Sequence, residues 1–575
     1  MKAYLSARSV GLGNIGTETR REIWSRLPRD QALVLLAQML ADVDLSVLPG
    51  PIQYEADEAW ASRVTTPSLR TRIQLGLRPV SGRQSVLLAP QLLLSAVGEA
   101  IRFCPDGIQE DSFKGTDGIL ACLLGIADDL EVGDDALASS PPTAELWGGL
   151  DPRLATDLIA NQHFNRYSPL HHLMAAAERR WSEHWPSITP AADVSGVGGQ
   201  PDQLFLEATG VDPSTLHHVA VHLFVQCMRH RYLRFPEEFF SRIGLDVDST
   251  HNVLNLISTD AASLGRALDG ESALSRWSFD PMRRWPLLRL DDGCYLILRL
   301  GWLIERGLSD ITYFDIRESL RRFDVEHTSS RVKHFDRCIQ ARLEYDVGEA
   351  LRRTFDRRGG QVWDEKALNT TLAASFSSAH KPKMCDYVVR VGHIWLVVDA
   401  TRRALRRDVV LGVAGTGGIE EELNRVLFDR KIEQLESTID LLRTQMHLLT
   451  GEGVDVEAIF VPIVVTADQG LGWGPFIALE VEKRTSRDGL LQGEDLAPVA
   501  LMSLKDISLL EHEGESQGVR AIDALLEWRR GPNAAWAFDQ HLSLSGRRLA
   551  ATRLERKAAA RMMTEAGKRL RTGRG

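Results

Sequence analysis

Two aspartates, Asp386 and Asp399, stand in the segment KMCDYVVRVGHIWLVVDATRRALRR (383–407) at a spacing that bears on what they can do together. Gly392-His393 reads as the centre of a two-residue type II′ turn, with glycine at the position that needs a positive φ. Counting back along both strands from that turn puts Asp386 directly opposite Asp399. Directly opposed side chains in an antiparallel pair have Cβ atoms about 4.5–5.5 Å apart, where like charges repel. A divalent cation relieves such a pair, because Mg2+ binds through one or two carboxylates and keeps several waters for chemistry. Alternation along the strand places Thr401 on the same face as Asp399. A plainer reading stays open, in which the aspartates flank strands and pair with Arg390, Arg402 or Arg403.

The elements that would position this pair belong to the C-terminal half of the chain. Apolar residues at Phe335, Ile339, Leu343, Val347, Leu351 and Phe355 predict a long helix. A short strand (361–363), two strands (386–391 and 394–400), a long helix (420–449) and an apolar strand (458–466) follow it. Helices and strands alternating at this density predict an α/β domain with a mixed sheet. Upstream, residues 1–280 read as mainly α-helical, and Asp291-Asp292-Gly293 between apolar runs predicts a hairpin. The expected organisation is a helical recognition or assembly region (1–280), a hairpin-and-helix connector (281–325), the α/β domain (326–510) and a basic helical tail (511–575). Asp134 to Pro142 and Pro190 to Pro201 read as loops or linkers.

An acidic residue opening a strand, a hairpin, and a second acidic residue ending the next strand two positions before a polar group resembles the PD-(D/E)XK restriction-endonuclease-like nucleases. The resemblance covers about residues 325–470 and implies a restriction-endonuclease-like core. It makes Asp386 and Asp399 metal ligands for Mg2+ or Mn2+, and Glu344, on the preceding helix, a further ligand. The family's lysine belongs two residues after the second acid, where this chain has Thr401. The implied substitutes are Lys431 or Gln434 on the following helix, with Lys383 and Arg402 as other candidates. Arg402, Arg403, Arg406 and Arg407 follow the second acid at once, and beside such a site they would contact phosphates without reading sequence. The implied activity is hydrolysis of DNA or RNA phosphodiester bonds, and nucleases with large helical partners resemble components of bacterial anti-phage defence. The alternative is a nuclease-like domain that has lost catalysis and binds nucleic acid or acts as a scaffold, with Thr401 as the mark of the loss.

Other groups carry less. GVAGTGG (412–418) lacks the Gly-Lys-Ser/Thr ending of a phosphate loop and reads as a flexible loop. His218 and His222 share a helical face, but Val219 stands where a zinc-binding HExxH helix has its glutamate. His171 and His172 have no partners at ligand spacing. In the last 29 residues ten Lys and Arg face only Glu555 and Glu565, which suggests either a nucleic-acid-contacting arm or a solvated tail. That tail could also dock on the chain's own acidic surface.

The 575 residues carry 68 Lys+Arg against 78 Asp+Glu, a net charge of −10, which excludes a protein that coats nucleic acid with its whole surface. With 44% apolar and 25% charged residues, collagen-like and disordered classes are excluded too. Six scattered cysteines without a CxxC pair, and no apolar run before the first arginines, suggest a reduced, cytoplasmic protein. The most apolar stretch, 86–101, is broken by Pro90, Gln91 and Glu99 and is too short to cross a bilayer, so no membrane partner is expected. The N-terminal helical region is the expected place for a protein partner.

Overall fold

The computed structural model describes the chain except residues 1–2, 48–52, 80–84, 107–114, 131–151, 165–167, 186–193, 273–274, 328–329, 374–375, 377–381, 454–456, 468–474 and 573–575. The expected loop at 134–142 and the first part of the one at 190–201 lie outside the described residues. Two compact units emerge, and neither is continuous in sequence. The first comprises Met1–Pro141, Phe205–Asp315 and Ala560–Gly575, and the second Pro142–Leu204 and Ile316–Ala559.

The first unit is mainly helical. Helix α1 (Arg29–Val47) packs on α2 (Pro90–Phe103) and α3 (Gly115–Leu130), and α4 (Pro213–His230) packs on α5 (Leu300–Leu308). A two-stranded parallel ribbon joins β1 (Ala3–Tyr4) to β2 (Ser85–Val86). A four-stranded sheet runs in the order β3 (Arg234–Phe235), β6 (Tyr295–Ile297), β5 (Leu287–Arg289), β4 (Ser258–Asp260). Strands β5 and β6 are the expected antiparallel hairpin, closed by Asp291-Asp292-Gly293. His222 is fully buried with Nδ1 at the His218 carbonyl, and His218 Nε2 lies 3.2 Å from the Ile243 carbonyl.

The second unit has an α/β layout. Its five strands are β7 (Gln361–Asp364), β8 (Tyr387–Val391), β9 (Ile394–Thr401), β10 (Ile459–Thr466) and β11 (Ala500–Ser503), lying in the order β11-β10-β9-β8-β7. β8 runs antiparallel to both its neighbours, β7 and β9, whereas β9, β10 and β11 run parallel. All eight residues of β9 are buried, as a central strand covered on both faces requires. In β8 and β9, Tyr387 faces Val398 and Val391 faces Ile394, the register expected from the turn. Gly392 has φ +60° and His393 is not in the positive-φ region, which suits a type II′ turn.

One face of the sheet presents Val389, Leu396, Val398, Ile463 and Val465 to a core shared with Leu343, Val347 and Leu351 of α7 (Arg331–Thr354). α6 (Thr312–His327), most of which belongs to this unit, precedes α7. α11 (Leu504–Gln517), α12 (Ala521–Arg530) and α13 (Phe538–Leu544) complete that core through Ile507, Leu525 and Phe538. α8 (Glu365–Thr371) follows β7 directly. The expected helix 420–449 starts earlier than its apolar pattern suggested. α9 (Gly415–Leu423) already takes in the second half of the glycine-rich run expected as a loop. A π-helical segment, Asn424–Ile432, then leads into α10 (Glu433–Gln445). α10 packs on β9, and its Leu435, Ile439 and Leu442 are buried.

Candidate active site

The carboxyls meet where β8 begins and β9 ends. Asp386 is the residue just before β8, and its Oδ2 accepts a 2.6 Å hydrogen bond from the Ala400 N–H. That bond ties the first acid to the strand end that carries the second. Asp399 is fully buried, two residues before the end of the β9–β10 ladder and opposite Val464. Lys431 donates to its Oδ1, while its Oδ2 meets no donor. Burial first, then the nearby Asp386 charge, pushes the Asp399 carboxyl well above the usual carboxylate range in spite of Lys431.

Lys431 is supplied by the π-helical segment. A π turn holds an extra residue per turn relative to an α-helix, and such segments often mark functional sites. From Lys431 onward, Gln434 and Thr438 follow at three and four residues and so share one helix face. The Gln434 amide donates to the Met384 carbonyl at 2.8 Å and accepts from Arg430 Nε at 3.1 Å. Thr438 Oγ1 accepts from the Cys385 N–H at 3.0 Å. Gln434 and Thr438 therefore clamp the two residues that lead into Asp386, so Gln434 acts on the backbone beside the acids.

α7 contributes from the other side. Burial, followed by the Asp386 charge, pushes the Glu344 carboxyl up to about 7, with Lys431 and a hydrogen bond from Gln340 opposing. Gln340 lies one turn before Glu344. Its Nε2 donates to Glu344 Oε1 at 2.8 Å and to the Ala400 carbonyl at 3.0 Å, and its Oε1 accepts from the Arg402 N–H at 2.8 Å. One side chain thus fixes both the acid on the helix and the peptides flanking Thr401. Gly348, one turn further on, allows this approach: a Cβ there would lie 2.3 Å from the Tyr387 ring. Glu365 in α8 also feels the site, its carboxyl raised by burial and then by Asp386.

Thr401 is buried and pairs with Thr466 at the end of the β9–β10 ladder. Its hydroxyl accepts from the Arg403 N–H at 3.3 Å, so it shapes the turn that leaves the strand. Lys383 is engaged by Glu433 at 2.6 Å. Among the arginines, Arg406 is surrounded by acids, reaching Glu421 at 3.2 Å, Asp408 at 3.4 Å and Glu422 at 3.6 Å. Arg403 Nη1 donates to the Arg425 carbonyl. Arg407 is exposed in a short helical turn, Arg407–Val410. The plainer pairing of the aspartates with Arg390 or Arg403 is not what forms. Arg390 is bound to Glu452 and to the Gly392 carbonyl, and the cation on Asp399 is Lys431.

Sequence reasoning missed Gln340, Thr438, Glu365 and Arg430. Gln340 and Thr438 had a legible signal, since each stands one helical turn from a residue already singled out. Glu365 had none, because its nearness to Asp386 depends on how β7 pairs with β8.

No family model, curated protein or solved structure matches the chain. Among the described residues, no helix is long and apolar enough to cross a membrane. Among the described residues, no group of three or more His, Cys, Asp and Glu side chains is arranged to hold a metal ion. Glu344 therefore does not close a three-carboxylate cage with Asp386 and Asp399. The aspartate pair fits the sparser mode of Mg2+, which takes one or two carboxylates and fills its remaining positions with water and substrate oxygens. The buried Asp399 Oδ2 without a donor is the atom that such an ion would satisfy.

Proposed function

We propose that the second unit is a metal-dependent nuclease on a restriction-endonuclease-like core, cutting phosphodiester bonds of DNA or RNA. The observation that carries this reading is the placement of Lys431 on Asp399, across the hairpin from Asp386. A lysine from a neighbouring helix restores the cation that the strand position lacks at Thr401.

Asp386 and Asp399 would hold Mg2+ or Mn2+. Bound there, such an ion supplies Lewis-acid polarisation of a phosphoryl oxygen and a more acidic water. Lys431, fixed by its carboxylate partner, offers its remaining N–H donors to charge developing on the phosphate. Glu344, with a pKa of about 7, holds or releases a proton near neutral pH, where a general acid or base works best. Gln340 keeps that carboxyl oriented, and Gln434 and Thr438 keep Asp386 at its strand end.

The test is cleavage of plasmid DNA, single-stranded DNA and RNA with Mg2+ or Mn2+, comparing the wild type with Asp399→Asn. Cleavage by the wild type and its loss in the variant is the expected result. Absent cleavage in both, with nucleic-acid binding retained, overturns the enzyme reading in favour of a binding module.

A further inference from the structure

The π-helical segment brings two cations, Arg430 and Lys431, to the site as sequence neighbours. Lys431 is bound to Asp399. Arg430 is held differently. Its Nε donates to Gln434 Oε1 at 3.1 Å, and Gln434 Nε2 in turn donates to the Met384 carbonyl at 2.8 Å. Gln434 is buried, so this anchor is fixed, and Met384 stands two residues before Asp386. The guanidinium is thus tied by one nitrogen to the stretch of chain that carries the first acid. Arg430 is otherwise exposed, and among the described residues its terminal amino groups meet no carboxylate.

We propose that Arg430 is a phosphate-binding residue of this site, its two terminal amino groups gripping a backbone phosphate of the nucleic-acid strand that lies across Asp386 and Asp399. The proposal rests on the nuclease reading of that pair and names a group that holds the strand there. A guanidinium offers a fork through Nε and a second fork through its two terminal nitrogens. With Nε engaged by Gln434, the terminal fork remains for a ligand. That fork matches two oxygens of a phosphate in a bidentate fashion, which a lysine ammonium at the same place cannot do. The anchor also counts energetically. A long surface side chain loses rotamer freedom when it binds, and a guanidinium already tied at Nε has less of it to lose. Other arginines around the hairpin are answered by acids: Arg390 by Glu452, and Arg406 by Glu421, Asp408 and Glu422. In support, burial and then Asp386 raise the Glu365 carboxyl, while Arg430 and Lys431 oppose them, so the Arg430 charge acts on the same group of acids.

The experiment measures binding of fluorescent DNA and RNA oligonucleotides to the full chain without divalent cation, over a salt series, so that it does not depend on cleavage. Arg430→Gln removes the charge at an exposed position, and Arg430→Lys keeps the charge but loses the fork. Arg487→Gln removes an exposed charge paired with Asp488 elsewhere in the same unit and serves as the control. Arg430→Gln should weaken binding about tenfold, and the slope of log affinity against log salt should shrink by about 0.7–0.9. Arg430→Lys should keep the wild-type slope and recover part of the affinity, and Arg487→Gln should change neither. Unchanged affinity and slope in Arg430→Gln overturn the contact, and so does an equal loss in Arg487→Gln, which would mark a general charge effect. A lowered melting temperature with an unchanged slope makes Arg430 a support for Gln434 alone and overturns it too, as does a wild type that binds neither oligonucleotide. A wild type that binds through Arg430 but cuts nothing leaves the contact standing and sinks only the nuclease reading.

Discussion

Removing the Lys431 ammonium leaves Asp386 and Asp399 facing each other with no cation between them. Leaving a buried carboxyl oxygen without its donor typically costs about 1–3 kcal/mol. Lys431→Met should therefore lower unfolding free energy by about 1–3 kcal/mol, read from denaturant melts. The double variant Lys431→Met with Asp386→Asn should recover part of that loss, since one of the two repelling charges is gone. A double variant no more stable than Lys431→Met alone would show that the two carboxyls do not interact. Asp399→Asn should behave differently, keeping the fold while abolishing cleavage, because the native carboxyl is already held above its usual range by burial and by Asp386.

At the scale of elements, the site depends on how closely α7 and β8 approach. A methyl group at Gly348 would enter the Tyr387 ring, so α7 would have to retreat and carry Gln340 and Glu344 with it. Gly348→Ala should cost about 1–3 kcal/mol, the usual range for overpacking, and should reduce cleavage more than the stability loss accounts for. Adding Tyr387→Leu opens space and should restore both; stability restored without activity would argue against α7 as the element that aims Glu344. Gly392 is the second constrained glycine. Its positive φ at the hairpin turn makes Gly392→Ala destabilising by about 1 kcal/mol, measurable as a lower melting temperature. The hairpin and its register were legible in advance because turn chemistry and alternation act over neighbouring residues. The π-helical segment was not, because its hydrogen-bond shift leaves an amphipathic pattern close to that of an ordinary helix.

For the molecule as a whole, the basic C-terminal segment proves to be partly anchored on acidic partners within the second unit. Arg547 bridges Glu513 and Glu527, and Arg556 reaches Glu515. Glu555 lies buried within the same segment and accepts from Ser508 and the Thr552 N–H, with His172 Nδ1 at 2.8 Å. Burial alone would raise its pKa, but the His172 and Ser508 hydrogen bonds, the His172 charge and the Thr552 amide outweigh it and bring it to about 2. A lowered carboxyl stabilises the fold above its unfolded pKa near 4.5, and that contribution fades as pH falls toward 2. Glu555→Gln should remove about 3 kcal/mol of stability at neutral pH and flatten the acid limb between about pH 4.5 and 2. Thermal melts across that range check it, and an unchanged acid limb would rule out Glu555 as its source.

The sequence by itself determined what rests on short-range rules: the β8–β9 hairpin, its register, the opposition of Asp386 to Asp399, and the long helix that bears Glu344. Alternation and turn geometry decide the hairpin within a dozen residues of the turn, and helical periodicity decides the helix. Tertiary structure alone decided which cation answers Asp399, which arginines are spent on local acids, and that Gln340 joins Glu344 to the end of β9. Those outcomes hang on contacts such as Arg406 with Glu421, 15 residues apart, Lys431 with Asp399, 32 apart, and Gln340 with Ala400, 60 apart, where the packing of whole elements, and not the local pattern, brings the partners within reach.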